Sequence, residues 1–223
     1  MAYRRTERVM QRLAARHDDI IAAARGIAAE SGMGAVQIVP VAVRAGVAAG
    51  TVYRYFPAKN DLVTALVSAE SGREIAAMRR AADAAPGPLS ALAAALMTFA
   101  VRALRSRRLA WAVIAEPVDA GVDAVRLVYR KALSGELEAR IRAAIAGGHL
   151  PEQDAEMAAA ALVGALLEGL IGPLGPPLAA DRGKAHEAVQ TLTLLALRAL
   201  GVIDARARGV VVQTALPPQD DEV

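Results

Sequence analysis

The segment Ala45-Gly46-Val47-Ala48-Ala49-Gly50-Thr51-Val52-Tyr53-Arg54-Tyr55-Phe56 decides how this chain is read. Gly46 follows a short apolar run, where a helix C-terminus favours a residue that tolerates positive φ. Val47 is the apolar plug expected between two crossing helices. Val52 and Phe56 lie four apart and are expected to face inward, which leaves Thr51, Tyr53, Arg54 and Tyr55 outward. Pro57 then stops the helix. A helix of barely two turns that exposes two tyrosines and an arginine needs a partner surface for them. This is the layout of a helix-turn-helix whose second helix enters a DNA groove.

Around that segment, Ala45-Gly46-Val47, Gly50-Thr51-Val52-Tyr53-Arg54-Tyr55-Phe56 and Lys59-Asn60-Asp61-Leu62 together resemble the DNA-binding signature of TetR-type bacterial transcriptional regulators. The resemblance spans roughly residues 17 to 66. It implies that Thr51, Arg54, Tyr55 and Lys59 hold phosphates, as matching positions do in similar proteins. Base reading then falls to Tyr53 and to the close approach allowed by Ala49 and Gly50. Where Gln37 stands, family members commonly have a Ser or Thr that caps the first motif helix and touches a phosphate. Gln is a poorer cap, and Ala48 replaces a frequent Ser; a missing N-cap typically costs about 1 kcal/mol.

Upstream, Met1 to Arg16 holds five arginines with Val9, Met10 and Leu13 between them. That pattern suits either an amphipathic extension of the first helix, reaching phosphates or a minor groove, or a disordered solubilising arm. The first helix proper is expected near His17 to Ser31, on the stripe Ile20, Ile21, Ala24, Ile27 and Ala28. Gln37 to Ala45 follows, and Pro40 suggests a start as late as that residue, because proline disfavours helical geometry in the residue before it. Residues 1 to 60 carry nine basic against four acidic side chains, so a head of charge +5 sits on a body of charge −2. A basic end on a slightly acidic body fits a nucleic-acid head on a non-binding trunk.

Downstream, helices are expected from Lys59 to about Ala82, from Ser90 to Leu104, over Leu109 to Ala115, from Asp123 to Ala146, from Asp154 to Ile171 and from Lys184 to Leu200. Arg105, Arg107 and Arg108 are expected to close the second of these as C-terminal cations. From Met157 to Ile171 the only charged side chain is Glu168, and the last helix is apolar on more than one stripe. Helices apolar on two sides call for a second body, and a twofold four-helix interface is the economical solution, with Ala161, Gly164, Leu167 and Leu195 as candidate contacts. One large monomeric bundle is the alternative. Ala205 to Val223 reads as a mobile tail, so the expected organisation is an arm and head over 1–60, an effector-binding and dimerising trunk over 61–204, and that tail.

At 223 residues and 55% hydrophobic, the chain can bury a sizeable core, and no run of about 18 uncharged apolar residues suggests a membrane span. Absence of cysteine removes disulfides and thiolate chemistry, and a cytoplasmic location is expected. The histidines His17, His149 and His186 stand alone, so no metal and no cofactor are expected. Glu116, Asp119 and Glu168 read as solvated or capping acids rather than acid/base pairs, and no enzyme motif is present.

Met97, Phe99, Trp111 and Tyr129 are scarce large groups among alanine-rich helices. They could enclose a cavity for an apolar or amphipathic effector, although such helices also pack tightly. The expected protein is an all-α, homodimeric repressor of pseudo-palindromic operator DNA. An effector would, by analogy with the family, tilt the helix beginning at Lys59. The competing reading is a DNA-binding architectural or protein-interaction module without an effector.

Overall fold

The computed structural model describes residues 2–117, 120–175 and 182–214, and among these the only regular structure is helical. Ten α-helices follow in order: α1 Ala2–Ser31, α2 Ile38–Arg44, α3 Ala49–Tyr55, α4 Lys59–Asp83, α5 Pro88–Arg105, α6 Arg107–Ile114, α7 Ala120–Ala146, α8 Ala155–Leu166, α9 Arg182–Ala199 and α10 Asp204–Gln213. A single 3-10 turn, Met33–Ala35, leads into α2, and a π turn, Leu167–Ile171, prolongs α8.

The arginine-rich N-terminus is the first part of α1, which resolves the two readings of that arm: the helix starts at Ala2, well before His17. Its second half is anchored through Ile20, Ile21, Ala24 and Ala28, all buried, whereas Val9, Met10 and Leu13 are exposed. Helix α2 starts at Ile38 rather than Pro40. Pro40 is its third residue, inside the first turn, where the missing N–H has no intrahelical partner to lose.

Helix α4 joins the two halves of the molecule. Leu62, Val63, Leu66 and Val67 are buried near its start, and Ile75, Met78 and Ala82 near its end. The boundary expected at residue 60 therefore falls inside the first turn of a continuous helix. Helix α5 is the core element, with Leu92, Ala93, Ala95, Leu96, Met97 and Phe99 all at most 1% exposed. It has the length and hydropathy of a membrane span, but two-thirds of it is buried inside the molecule. Pro88 opens it at a first-turn position that proline favours.

Two expectations are corrected. Arg107 and Arg108 do not close α5 but open α6, after a break at Ser106. The helix from Asp154 is covered on one side only in the single chain. Ala159, Leu162, Val163 and Leu166 are buried, while Met157, Ala161 and Gly164 are exposed. And the tail does not begin at Ala205: Asp204–Gln213 is helix α10, which packs on α9 and α5. Its apolar residues Ala207 and Val211 lie four apart and are buried. The Asp204 carboxylate also accepts from Arg198 and Arg208, which holds it below the usual carboxylate range. Residues 215–223 and Asp119 lie outside the described residues.

Candidate nucleic-acid interface and trunk cavity

The turn of the motif is built as its residues dictate. Gly46 has φ +65°. Its N–H donates to Val43 O at 3.2 Å and that of Val47 to Ala42 O at 2.9 Å. This pair of bonds is the Schellman ending, which satisfies carbonyls that a helix C-terminus would otherwise leave open. Helix α2 is held against α1 by Arg44, whose guanidinium makes two bonds to Glu30, at 2.7 and 2.6 Å. It passes over Gly26, where a Cβ would come within 2.7 Å of the guanidinium. The pair lowers the Glu30 carboxyl below its ordinary value, chiefly through that hydrogen bond.

Helix α3 buries Val52 and Phe56, as the spacing requires. Outward, Tyr53 is 51% exposed, Arg54 is exposed, and Gly50 has open space where a side chain would stand. Ala49, Thr51 and Lys59 are half-buried at the edges of the same surface. Tyr55 departs from expectation. It is half-buried, its ring 6.4 Å from that of His17 on α1, and the Arg54 guanidinium lies 5.7 Å from its centre. Because α1 passes beside the end of α3, that side chain belongs partly to the head's core.

Gln37 and Ala48 are the N-cap residues of α2 and α3, and neither makes a side-chain cap. The Gln37 amide instead donates to Gly34 O at 3.0 Å. At the start of α4, the Asp61 carboxylate accepts from the Ala58 N–H at 2.9 Å.

In the trunk, a cavity of about 340 Å³ opens between α1, α4, α5, α6 and α7. Its lining is apolar at Phe99, Leu109, Val113 and Ile114 and charged at Glu70 and Glu74, one turn apart on α4, and at Arg25, Arg102 and Arg105. Arg25 donates to Glu70 at 3.2 Å and Arg102 to Glu74 at 2.8 Å. Tyr129 is also in the wall. Burial first, and Glu74 next, push its phenol well above the ordinary value, so it stays a neutral donor.

Of the four effector candidates, Phe99 and Tyr129 line this cavity and Met97 and Trp111 do not. Met97 packs within the core, 1% exposed. Trp111 is half-buried and follows the wall residue Ala110 by one step, about 100° around α6. The charged lining was missed by sequence reading. Its signal is nonetheless present, because Glu70 and Glu74 continue the buried register of Leu66, Val67 and Met78.

Elsewhere in the trunk, Ala161 and Gly164 are exposed, Leu167 is half-buried and Leu195 is 55% exposed. The single chain thus leaves these candidate contacts at least partly uncovered. Glu168 is exposed, and Glu116 is engaged with the head, its carboxylate accepting from Met33 N at 2.9 Å.

The described residues thus form a helix-turn-helix head on a helical trunk, with an open cavity where the two meet. Residues 20–66 match the family model described as bacterial regulatory proteins, tetR family. Over 77 residues the chain is 42% identical to the HTH-type transcriptional repressor KstR of Mycobacterium tuberculosis, and 43% identical to that of Mycolicibacterium smegmatis. The matched segment is 34% of this chain and 35% and 38% of those proteins, so the chain spans little more than a third of the curated relatives it matches.

Solved structures match over most of the chain. The fatty acid degradation regulator FadR from Bacillus halodurans aligns with a TM-score of 0.72 at 22% identity, covering 84% of this chain and 97% of that one. A tetR-family protein from Rhodococcus RHA1 gives 0.68 at 21%, covering 85% and 98%. FadR from Bacillus subtilis in complex with stearoyl-CoA gives 0.66 at 22%, covering 78% and 96%. The head over residues 20–66 is thus of the tetR type, and the described residues share the all-helical fold of these solved structures.

Proposed function

We propose that this protein is a cytoplasmic transcriptional repressor that binds a pseudo-palindromic operator as a homodimer and is released by a small amphipathic effector held in the trunk cavity. The observation that carries the reading is the outer surface of α3. Tyr53 and Arg54 project from a helix joined through the Schellman turn to α2, which Arg44 ties to α1, and Gly50 leaves its leading edge bare. Thr51, Arg54, Tyr55 and Lys59 position the head on phosphates, with Gln37 at the entrance to α2. Lys59 stands at a helix N-terminus, where backbone N–H groups reinforce anion binding. Tyr53 reads bases, with thymine methyl contacts made possible by the close approach at Ala49 and Gly50. That the relatives matching this head are named as repressors supports the direction of regulation.

Dimerisation rests on Ala161, Gly164, Leu167 and Leu195, where small residues permit close helix approach. Two heads then enter successive major grooves, about 34 to 36 Å apart. A filled trunk core would favour an architectural module; the cavity favours a sensor, although it is open and partly charged rather than closed and largely apolar. Its volume of about 340 Å³ lies at the low end of the range of about 300–1,000 Å³ for ligand pockets. Its mixed lining suits a compact ligand with an apolar body and hydrogen-bonding groups, so the effector is amphipathic rather than purely apolar.

Selection of bound duplexes from a random pool, with and without metabolite extract, tests the reading as a whole. A twofold-symmetric consensus that disappears with extract is expected. Recovery of duplexes without any shared sequence would remove the repressor assignment.

A further inference from the structure

We propose that Glu116 is the positioning residue through which the cavity sets the placement of the DNA-binding head, an inference that rests on the repressor reading above. The hydrogen bond from Met33 N–H to Glu116 joins residues 83 apart in sequence, one leading into α2 and the other just past the end of α6. The other carboxylate oxygen lies 3.4 Å from Gly34 N. The backbone at Gly32 favours glycine. Its φ is +84°, and a Cβ there would stand 2.9 Å from the Glu116 carboxylate and 3.0 Å from the Arg108 guanidinium.

Both ends of this contact are tied to something that matters. On the head side, Gly34 O accepts from Gln37, the N-cap of α2, so displacement of the loop is carried to the first motif helix. On the trunk side, Arg126 of α7 is 1% exposed and gathers the last carbonyls of α6. It donates to Val113 O at 2.9 Å and also to Ala112 O and Glu116 O. Helix ends leave such carbonyls open, and a single buried guanidinium here satisfies three acceptors. Val113 lines the cavity, and so does Tyr129, one turn beyond Arg126. The end of α6, α7 and the base of Glu116 are therefore one hydrogen-bonded unit, and any ligand that displaces this unit moves the carboxylate that holds Met33.

The test uses the full chain and a substitution that fills the cavity, so no identified ligand is needed. Ala110 lines the cavity from α6. Ala110→Phe, Glu116→Ala and the double variant are compared with wild type by affinity for the selected duplex and for a scrambled one, and by amide hydrogen exchange at Met33. Ala110→Phe is expected to weaken selected-duplex binding about tenfold, within the usual range of allosteric coupling, and to speed exchange at Met33. In the Glu116→Ala background both effects should shrink to less than about twofold, as linkage through one contact requires.

Equal effects of Ala110→Phe in both backgrounds would overturn the proposal, as would no effect in either. If wild type binds no duplex selectively, the repressor reading fails, and exchange at Met33 alone still decides whether cavity filling reaches the head through Glu116.

Discussion

Two helices of this molecule leave a face uncovered, and the faces differ in kind. Helix α3 presents Tyr53, Arg54 and a bare Gly50; helix α8 presents Met157, Ala161 and Gly164. The first surface is hydrogen-bonding and cationic, and water solvates it well. The second offers mostly apolar groups between the exposed Glu156 and Glu168, and water solvates those apolar groups poorly. Exposure alone thus says little about a partner. A polyanion suits the first face, and a second copy of the same small-residue surface suits the second.

The largest expected effect comes from placing a charge on the apolar side. Leu195→Glu or Leu167→Glu should give monomeric or insoluble protein by sedimentation, with selective duplex binding lost altogether, since one head covers only half of a palindrome. A micromolar wild-type monomer would break the comparison, because the α8 face would then need no copy of the chain.

Next in size are changes on α3 and at the start of α4. Tyr53→Ala should relax preference at particular base pairs by about 1–3 kcal/mol each. Lys59→Ala should weaken selected and scrambled duplexes alike and lower the log-log salt slope by roughly one. If both variants bind like wild type, α3 is not the reading helix.

A smaller effect is expected inside the trunk. Tyr129→Phe removes one neutral donor from the cavity wall and should weaken the effector by about 0.5–1.5 kcal/mol, read as a shift in the concentration that releases the duplex. Trp111 emission should change only modestly on binding, because the indole is not in the wall.

The smallest effect is a pH dependence confined to the head. Glu30 is held below its ordinary value of 4.5 by Arg44. The stability from that pair is therefore complete above pH 4.5 and is lost as pH falls through the lowered value. Exchange at α2 amides should rise in that acid window in wild type and show less change in Arg44→Met.

How far these faces were legible in the sequence depends on the kind of signal. The motif was readable because a positive-φ glycine, a plug and a four-residue inward spacing each leave a residue type at a fixed place. Periodicity likewise gave the apolar faces of α4 and α5. It misled for Tyr55, since an aromatic beside a crossing helix can serve both core and surface, and no spacing reveals that α1 passes there. The C-terminal helix was missed because Ala207 and Val211 make too sparse a stripe to stand out beside Arg206 and Arg208. The cavity was sought among large aromatics, where size suggested a wall. Its distinguishing residues are Glu70 and Glu74, charges in a core register. The Glu116 contact bridges 83 residues, a separation at which local pattern carries no information.

The continuity of α4 across residue 60 has a practical consequence for protein engineering. Heads of such proteins invite transplantation, and the charge pattern suggests a cut near Lys59. A chimera joined there would divide α4 within its first turn and set Glu116 of one parent against a foreign loop. The exchangeable unit includes the first turns of α4 at least as far as Val67, and a compatible Gly32–Gly34 loop must face whatever trunk receives it. Grafts that ignore this should bind DNA yet fail to respond, a failure easily mistaken for choosing the wrong inducer.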